Sequence, residues 1–229
     1  MVSSAIVGFV LGLFIPAVAG RFGKILPADP GHILLNLWHR PHFPKVADVS
    51  RTHYLYRKWL ELILYSLLWG GILAGLFVGT EFLLPQEIVP WAKVFMTIIG
   101  FCIPIDLKYC LLPDFFTLPL LILGFGAGVL MPILTPLDSF IGAAFGYFIA
   151  VVAVLFLGLF SHRSEIGFGD VKMMTGLGAW LGTLGLNFAL MLSFFLFAIP
   201  ATLYTQRRGP YGPALGIAAI IAFFFVYMK

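Results

Sequence analysis

Two aspartates stand where an apolar chain has little reason to keep them. Asp106 closes a long apolar run in "FCIPIDLKYCLLPD", and Asp170 opens another in "SEIGFGDVKMM". Ionisable side chains at the edge of a hydrocarbon environment are costly, which makes them functional candidates. If the two carboxyl groups meet at one depth, they cannot both ionise easily. One can then take a proton from water while the other, still protonated, donates to a carbonyl oxygen, which is the division of labour in aspartic-protease chemistry. Gly167 and Gly169 precede Asp170 and carry no side chain, so an extended peptide backbone could approach beside it.

Each acid is weighed against a purely structural role. Asp114 follows Pro113 and precedes "FFTLPLL", which suits the N-cap of a helix. Asp170 could cap its own helix in the same way, or favour the positive end of the helix dipole. Asp106 falls at the C-terminal end of a span, where the dipole disfavours an anion, so capping does not account for it. Lys108, two positions on, would not share its helical face. Glu61 lies just inside another apolar run and reads equally as a functional acid or as a polar group bonded inside the bundle.

The elements that must position these residues follow from composition. The chain has 229 residues, 61% hydrophobic and 10% charged, which excludes a soluble domain of this length. Apolar runs of roughly the 20 residues needed to cross a bilayer recur throughout. Eight are read, at about 2–20, 59–80, 87–105, 115–133, 138–160, 171–187, 188–204 and 211–228, the sixth and seventh separated by little beyond Gly185 and Asn187. Backbone polar groups in lipid must be satisfied internally, so these spans predict an all-α, polytopic helix bundle. Gly178 and Gly182 form a small-residue pattern permitting close helix approach.

Lysines and arginines orient the bundle. Arg21, Lys24, Arg40, Lys45, Arg51, Arg57 and Lys58 crowd between the first two spans, and Lys108, Arg163, Lys172, Arg207 and Arg208 fall in or beside every second loop thereafter. Glu81, Glu87 and Asp138 occupy the intervening loops, with Lys93 the nearby cation. The positive-inside rule makes the basic loops cytoplasmic and places the N-terminus outside. "IPAVAGR" near residue 20 mimics a signal-peptide cleavage site, but the cations follow the first apolar run instead of preceding it, so an uncleaved first helix is expected. Asp106 and Asp170 then share the cytoplasmic end. The net charge of +4 is small and confined to loops, which points to the lipid bilayer as partner and away from nucleic acid.

The residues around both aspartates resemble the type IV prepilin peptidases, membrane aspartic proteases of the G-x-G-D type. "GFGDVKMMTGLGAWLG", 167–182, is similar to that family's G-x-G-D-x-K segment running into a glycine-rich helix. "IDLKYCLLPDFFTLPLL", 105–121, is similar to its I-D-x-x-x-x-x-L-P-D-x-x-T-L-P-L-L segment. "GLFIPAVAGRF" and "GPYGPALGIAA" resemble the family's first and last segments, and "YRKWLELILYSLLWGG" its entry into the second span. The resemblance implies one integral-membrane peptidase domain over 1–229, with Asp106 and Asp170 catalytic, and Asp114, Lys172, Gly167 and Gly169 in support. It also implies precursors of type IV pilins or type II secretion pseudopilins as substrates, cut between a basic leader and an apolar helix, in the bacterial cytoplasmic (inner) membrane.

Many members of that family also methylate the new N-terminus with S-adenosylmethionine and carry two C-x-x-C pairs in a larger first loop, suited to structural zinc. Here that loop, about 21–57, is short, and the cysteines are Cys102 and Cys110, both flanking Asp106. No zinc is therefore expected, proteolysis needs no cofactor, and the two cysteines read as inert packing. His32, His39, His42 and His53 in the loop lack close ligand spacing and read as interfacial. Glu61 occupies the family's acidic position, so a methyl-transfer pocket that uses S-adenosylmethionine stays open. The reading from a different class is a small transporter with Asp106 and Asp170 as proton or cation ligands, against which stands the lack of another charge at mid-depth.

Overall fold

Seven helices account for the regular structure of a computed structural model that describes residues 1–22, 50–130, 134–160, 167–203 and 210–228. They are α1 (Val2–Phe22), α2 (Ser50–Leu83), α3 (Val89–Tyr109), α4 (Asp114–Leu130), α5 (Pro136–Phe160), α6 (Phe168–Leu203) and α7 (Gly212–Tyr227). No strand occurs among the described residues. The chain is thus an all-helical, multi-pass membrane protein, with five helices long and apolar enough to cross a bilayer and two shorter apolar ones, α4 and α7. Helix is the form that such a sequence must take, because it pairs every backbone amide within its own segment.

Two compact units divide the chain, Met1–Val78 and Gly79–Lys229. In the first, α1 crosses α2 with backbones in contact. A Cβ on Gly12 would lie 2.5 Å from the Trp69 carbonyl oxygen and 2.6 Å from the Gly70 Cα. Lipid tails are as apolar as leucine, so close backbone packing, rather than exclusion of water, holds such a pair together. Helix α2 starts at Ser50, earlier than the span boundary near residue 59 expected from hydropathy. The loop expected over 21–57 is trimmed at both ends by helix, and residues 23–49 lie outside the described residues.

The second unit is organised by α6. At 36 residues it would measure about 54 Å if straight, nearly twice the ~30 Å hydrocarbon core. It is not straight, because Gly182 has φ 64° and ψ −176°. A Cβ on Gly146 of α5 would lie 2.5 Å from the Met174 carbonyl oxygen and 3.0 Å from Leu186 Cδ2. Those two residues would be about 18 Å apart on a straight helix, so α6 folds back on itself at Gly182. The positive φ is open to glycine without the clash that a side chain would bring. Sequence reading separated its sixth and seventh spans near Gly185 and Asn187, and the reversal lies at Gly182 instead. A single left-handed residue performs the turn with no polar loop, which is why hydropathy misplaced it.

Gly182 is therefore a turn as well as part of a helix-packing contact, since a Cβ on Gly142 of α5 would lie 2.8 Å from the Gly182 Cα. Gly178 makes the same close approach, its backbone packed on that of Gly142. A helix that ends within the bundle leaves its last carbonyls without amide partners. Here Ser139 Oγ donates to the Ala179 carbonyl at 2.8 Å, and the Tyr227 hydroxyl to the Trp180 carbonyl at 2.6 Å. Trp180, fully buried, donates Nε1–H to the Leu120 carbonyl of α4 at 2.7 Å. Its ring lies 5.2 Å from Phe95, which stacks on Phe223 at 4.7 Å. This aromatic core locks α3, α4, α6 and α7 at the reversal end. Also there, Thr135 Oγ1 donates to Asp138 and accepts the Asp138 amide at the start of α5, so Asp138 serves a cap. The first turns of α4, α6 and α7 and the last turn of α3 gather at the opposite end, where both aspartates lie.

Candidate active site

Asp106 sits in the last turn of α3 and is 4% exposed. The helix stops at Cys110, whose left-handed conformation (φ 50°) lets its amide donate to the Asp106 carbonyl at 2.8 Å. The dipole of α3 opposes a carboxylate here, but α7 compensates. Its first residue, Gly212, donates its backbone N–H to Asp106 Oδ2 at 2.9 Å, so the carboxyl faces the positive end of a second helix.

Asp170 is in the first turn of α6, half-buried, and its amide donates to the Gly167 carbonyl at 3.0 Å. The Gly167 amide in turn faces the Asp170 carboxylate. Gly167 is thus the N-cap of the helix, and Asp170, expected there itself, stands at N3 and reaches back to the N-cap amide, which is one half of a capping box. Capping does not exhaust the role of Asp170, because its carboxyl and that of Asp106 are close enough to act on one another electrostatically. Helices distant in sequence thus deliver two carboxyl groups to one place.

The supporting residues separate under inspection. Asp114 is not the N-cap of α4. The Pro113 carbonyl accepts the Phe116 and Thr117 amides, which makes Asp114 the first helical residue, and its side chain pairs with Lys172 Nζ at 2.6 Å. This ion pair ties the start of α4 to the start of α6, beside Asp170. Gly167 is exposed, and among the described residues nothing lies nearer its absent Cβ than 3.9 Å. Gly169 has no such room, since a Cβ there would lie 2.8 Å from Leu112 Cβ and 3.0 Å from its carbonyl oxygen. Its missing side chain lets α6 pack on the segment before α4, a role that sequence alone does not distinguish from substrate access.

Cys102 is buried in the α3 packing face, as expected of an inert thiol, whereas Cys110 is exposed and does not pack. Glu61 lies on α2 within the exposed stretch Trp59–Tyr65, so it is not a polar group bonded inside a bundle. Among the described residues no three His, Cys, Asp or Glu side chains converge as a metal site. His32, His39 and His42 lie outside the described residues, as does the side chain of His53.

Sequence reading missed the contribution of α7. Besides Gly212, Tyr211 lies within electrostatic range of Asp170 and bonds Ser193 Oγ at 2.5 Å. Ser193 gives its own proton to the Leu190 carbonyl, so Tyr211 is the donor of that pair. The Gly-Pro pair in "GPYGPALGIAA" was the available signal, since Pro213 at the start of α7 removes one amide and leaves that of Gly212 foremost.

A polytopic helical membrane protein with a carboxyl pair at one end of its bundle is the class so defined. Residues 93–202, which contain both aspartates, match the Type IV leader peptidase family. Proteins named prepilin leader peptidase/N-methyltransferase are similar to it. That of Aeromonas salmonicida (strain A449) is 36% identical over 146 residues, covering 59% of this chain and 47% of the relative. That of Dichelobacter nodosus is 36% identical over 132 residues, covering 56% and 46%, and that of Pseudomonas aeruginosa PAO1 34% over 125, covering 52% and 43%. The aligned regions thus span under half the length of these relatives. No solved structure matches the chain.

Proposed function

We propose that this protein is an aspartic endopeptidase that removes the leader from type IV prepilins or type II secretion pseudopilins at the cytoplasmic face of the bacterial inner membrane. The observation that carries the reading is the convergence of Asp106 and Asp170 from α3 and α6 to one end of the bundle. One carboxylate takes a proton from the attacking water, and the other carboxyl protonates the carbonyl oxygen as the tetrahedral intermediate forms. Collapse of that intermediate returns a proton to the leaving amine, and no metal or organic cofactor is required. Exposed Gly167, beside Asp170, offers the edge along which an extended scissile segment would lie.

The test is the intact mass of a model prepilin co-expressed with the wild-type protein, with Asp106→Asn and with Asp170→Asn. Leader loss with the wild type and with neither variant is expected, each substitution costing about a thousandfold in rate. An added methyl on the mature N-terminus would assign transfer from S-adenosylmethionine to this chain as well, and an unmodified one would assign peptidase activity alone. Precursor left intact by the wild type across several prepilins would overturn the reading. Proton-coupled transport through the same carboxyl pair would then be the next assay.

A further inference from the structure

Gly212 meets Asp106 more closely than any substituted residue could. Its amide donates to Oδ2 at 2.9 Å, and a Cβ at this position would lie 2.6 Å from Oδ2, 3.0 Å from Cγ and 3.2 Å from Cβ of Asp106. The carboxyl group thus occupies the volume that a side chain at 212 would fill. We infer that Gly212 is a positioning residue: α7 docks its first amide on Asp106 Oδ2 and thereby leaves Oδ1 as the oxygen that exchanges protons with water or substrate. This inference rests on the peptidase reading and deepens it.

Two further observations support the assignment of the oxygens. Oδ2 is engaged by the amide, whereas Oδ1 has no partner among the described residues. Pro213 follows immediately and lacks an N–H, and the Leu215 amide is spent on the Tyr211 carbonyl at 3.1 Å. The start of α7 therefore presents one well-placed donor to Asp106 instead of a fan of competing ones.

The same helix supplies the control. One turn on, a Cβ at Gly216 would lie 2.8 Å from Ile103 Cγ1 and 3.2 Å from Ile99 Cγ2, so it crowds the same α3–α7 contact without reaching Asp106. Gly212→Ala and Gly216→Ala are compared with wild type for kcat and KM on a model prepilin and for thermal unfolding in detergent. Positioning predicts similar falls in unfolding temperature for both variants. It further predicts KM within about threefold of wild type and a kcat loss of about a hundredfold confined to Gly212→Ala, the scale of a small misplacement of a reacting group. A Gly212→Ala enzyme within threefold of wild-type kcat, or equal kcat losses in the two variants, overturns the inference while leaving the peptidase reading intact. A wild-type protein that cuts no prepilin sinks that reading itself.

Discussion

At the scale of single residues, burial and exposure divide what chemistry needs from what packing needs. The Asp114–Lys172 pair is short, yet its side chains are 58% and 39% exposed, and an exposed ion pair contributes at most about 1 kcal/mol. Asp114→Ala and Lys172→Ala should therefore change stability by less than about 1 kcal/mol each, with a double mutant no worse than the larger single, read by denaturation in detergent. Cleavage should suffer more in Lys172→Ala, whose charge sits two residues from Asp170. Tyr211→Phe removes a donor to Ser193 but keeps the ring edge-on to Phe197 at 5.5 Å. A loss of about 1 kcal/mol is expected, the net value of one hydrogen bond. Both aspartates were legible in the sequence because an acid at the end of an apolar span has few structural excuses. Gly212 was not, since one glycine among 25 reveals its contact only when another helix places a carboxyl on it.

Helices show the same division between what pattern dictates and what tertiary contact adds. Hydropathy located every apolar segment, because length and composition alone decide which can cross lipid. It could not locate the reversal of α6, where Gly182 turns the chain without a polar residue, nor tell that of the two glycines packed on Gly142 only Gly182 is also the turn. The distinction is testable. Gly182→Ala forces a side chain into left-handed backbone and should cost about 1–2 kcal/mol. Gly178→Ala instead drives a methyl into the backbone of α5 and should cost about 1–3 kcal/mol, because neither helix can yield without moving the other. The two should also differ in kind. Gly178 has ordinary helical backbone, so its loss is steric alone, whereas Gly182, at φ 64° and ψ −176°, lies in a region essentially closed to side chains, so Gly182→Asn should be no more stable than Gly182→Ala. Thermal unfolding of the three variants in one detergent decides it.

For the second unit as a whole, the two ends of the bundle carry different work. The reversal end is closed by aromatic packing and by hydroxyls that satisfy interrupted carbonyls, with a Lys93–Glu81 ion pair at 2.8 Å near the start of α3. The other end gathers Asp106, Asp170, the Asp114–Lys172 pair and the first amide of α7. Under the proposed function, a substrate with a water-borne basic leader and a lipid-borne helix is cut where those phases meet, which requires the aspartate end to face the compartment that holds the leader. Two exposed positions report on this directly. Cys110 lies four residues beyond Asp106, and Gln86 is in the turn between α2 and α3. In intact cells a membrane-impermeant maleimide should spare Cys110 and label a Gln86→Cys, Cys110→Ser variant, while inverted membrane vesicles should reverse the pattern. Buried Cys102 should stay silent in both, which makes it an internal control. Labelling of Cys110 from outside intact cells would place the carboxyl pair in the wrong compartment for a cytoplasmic leader, and would do so independently of any cleavage assay.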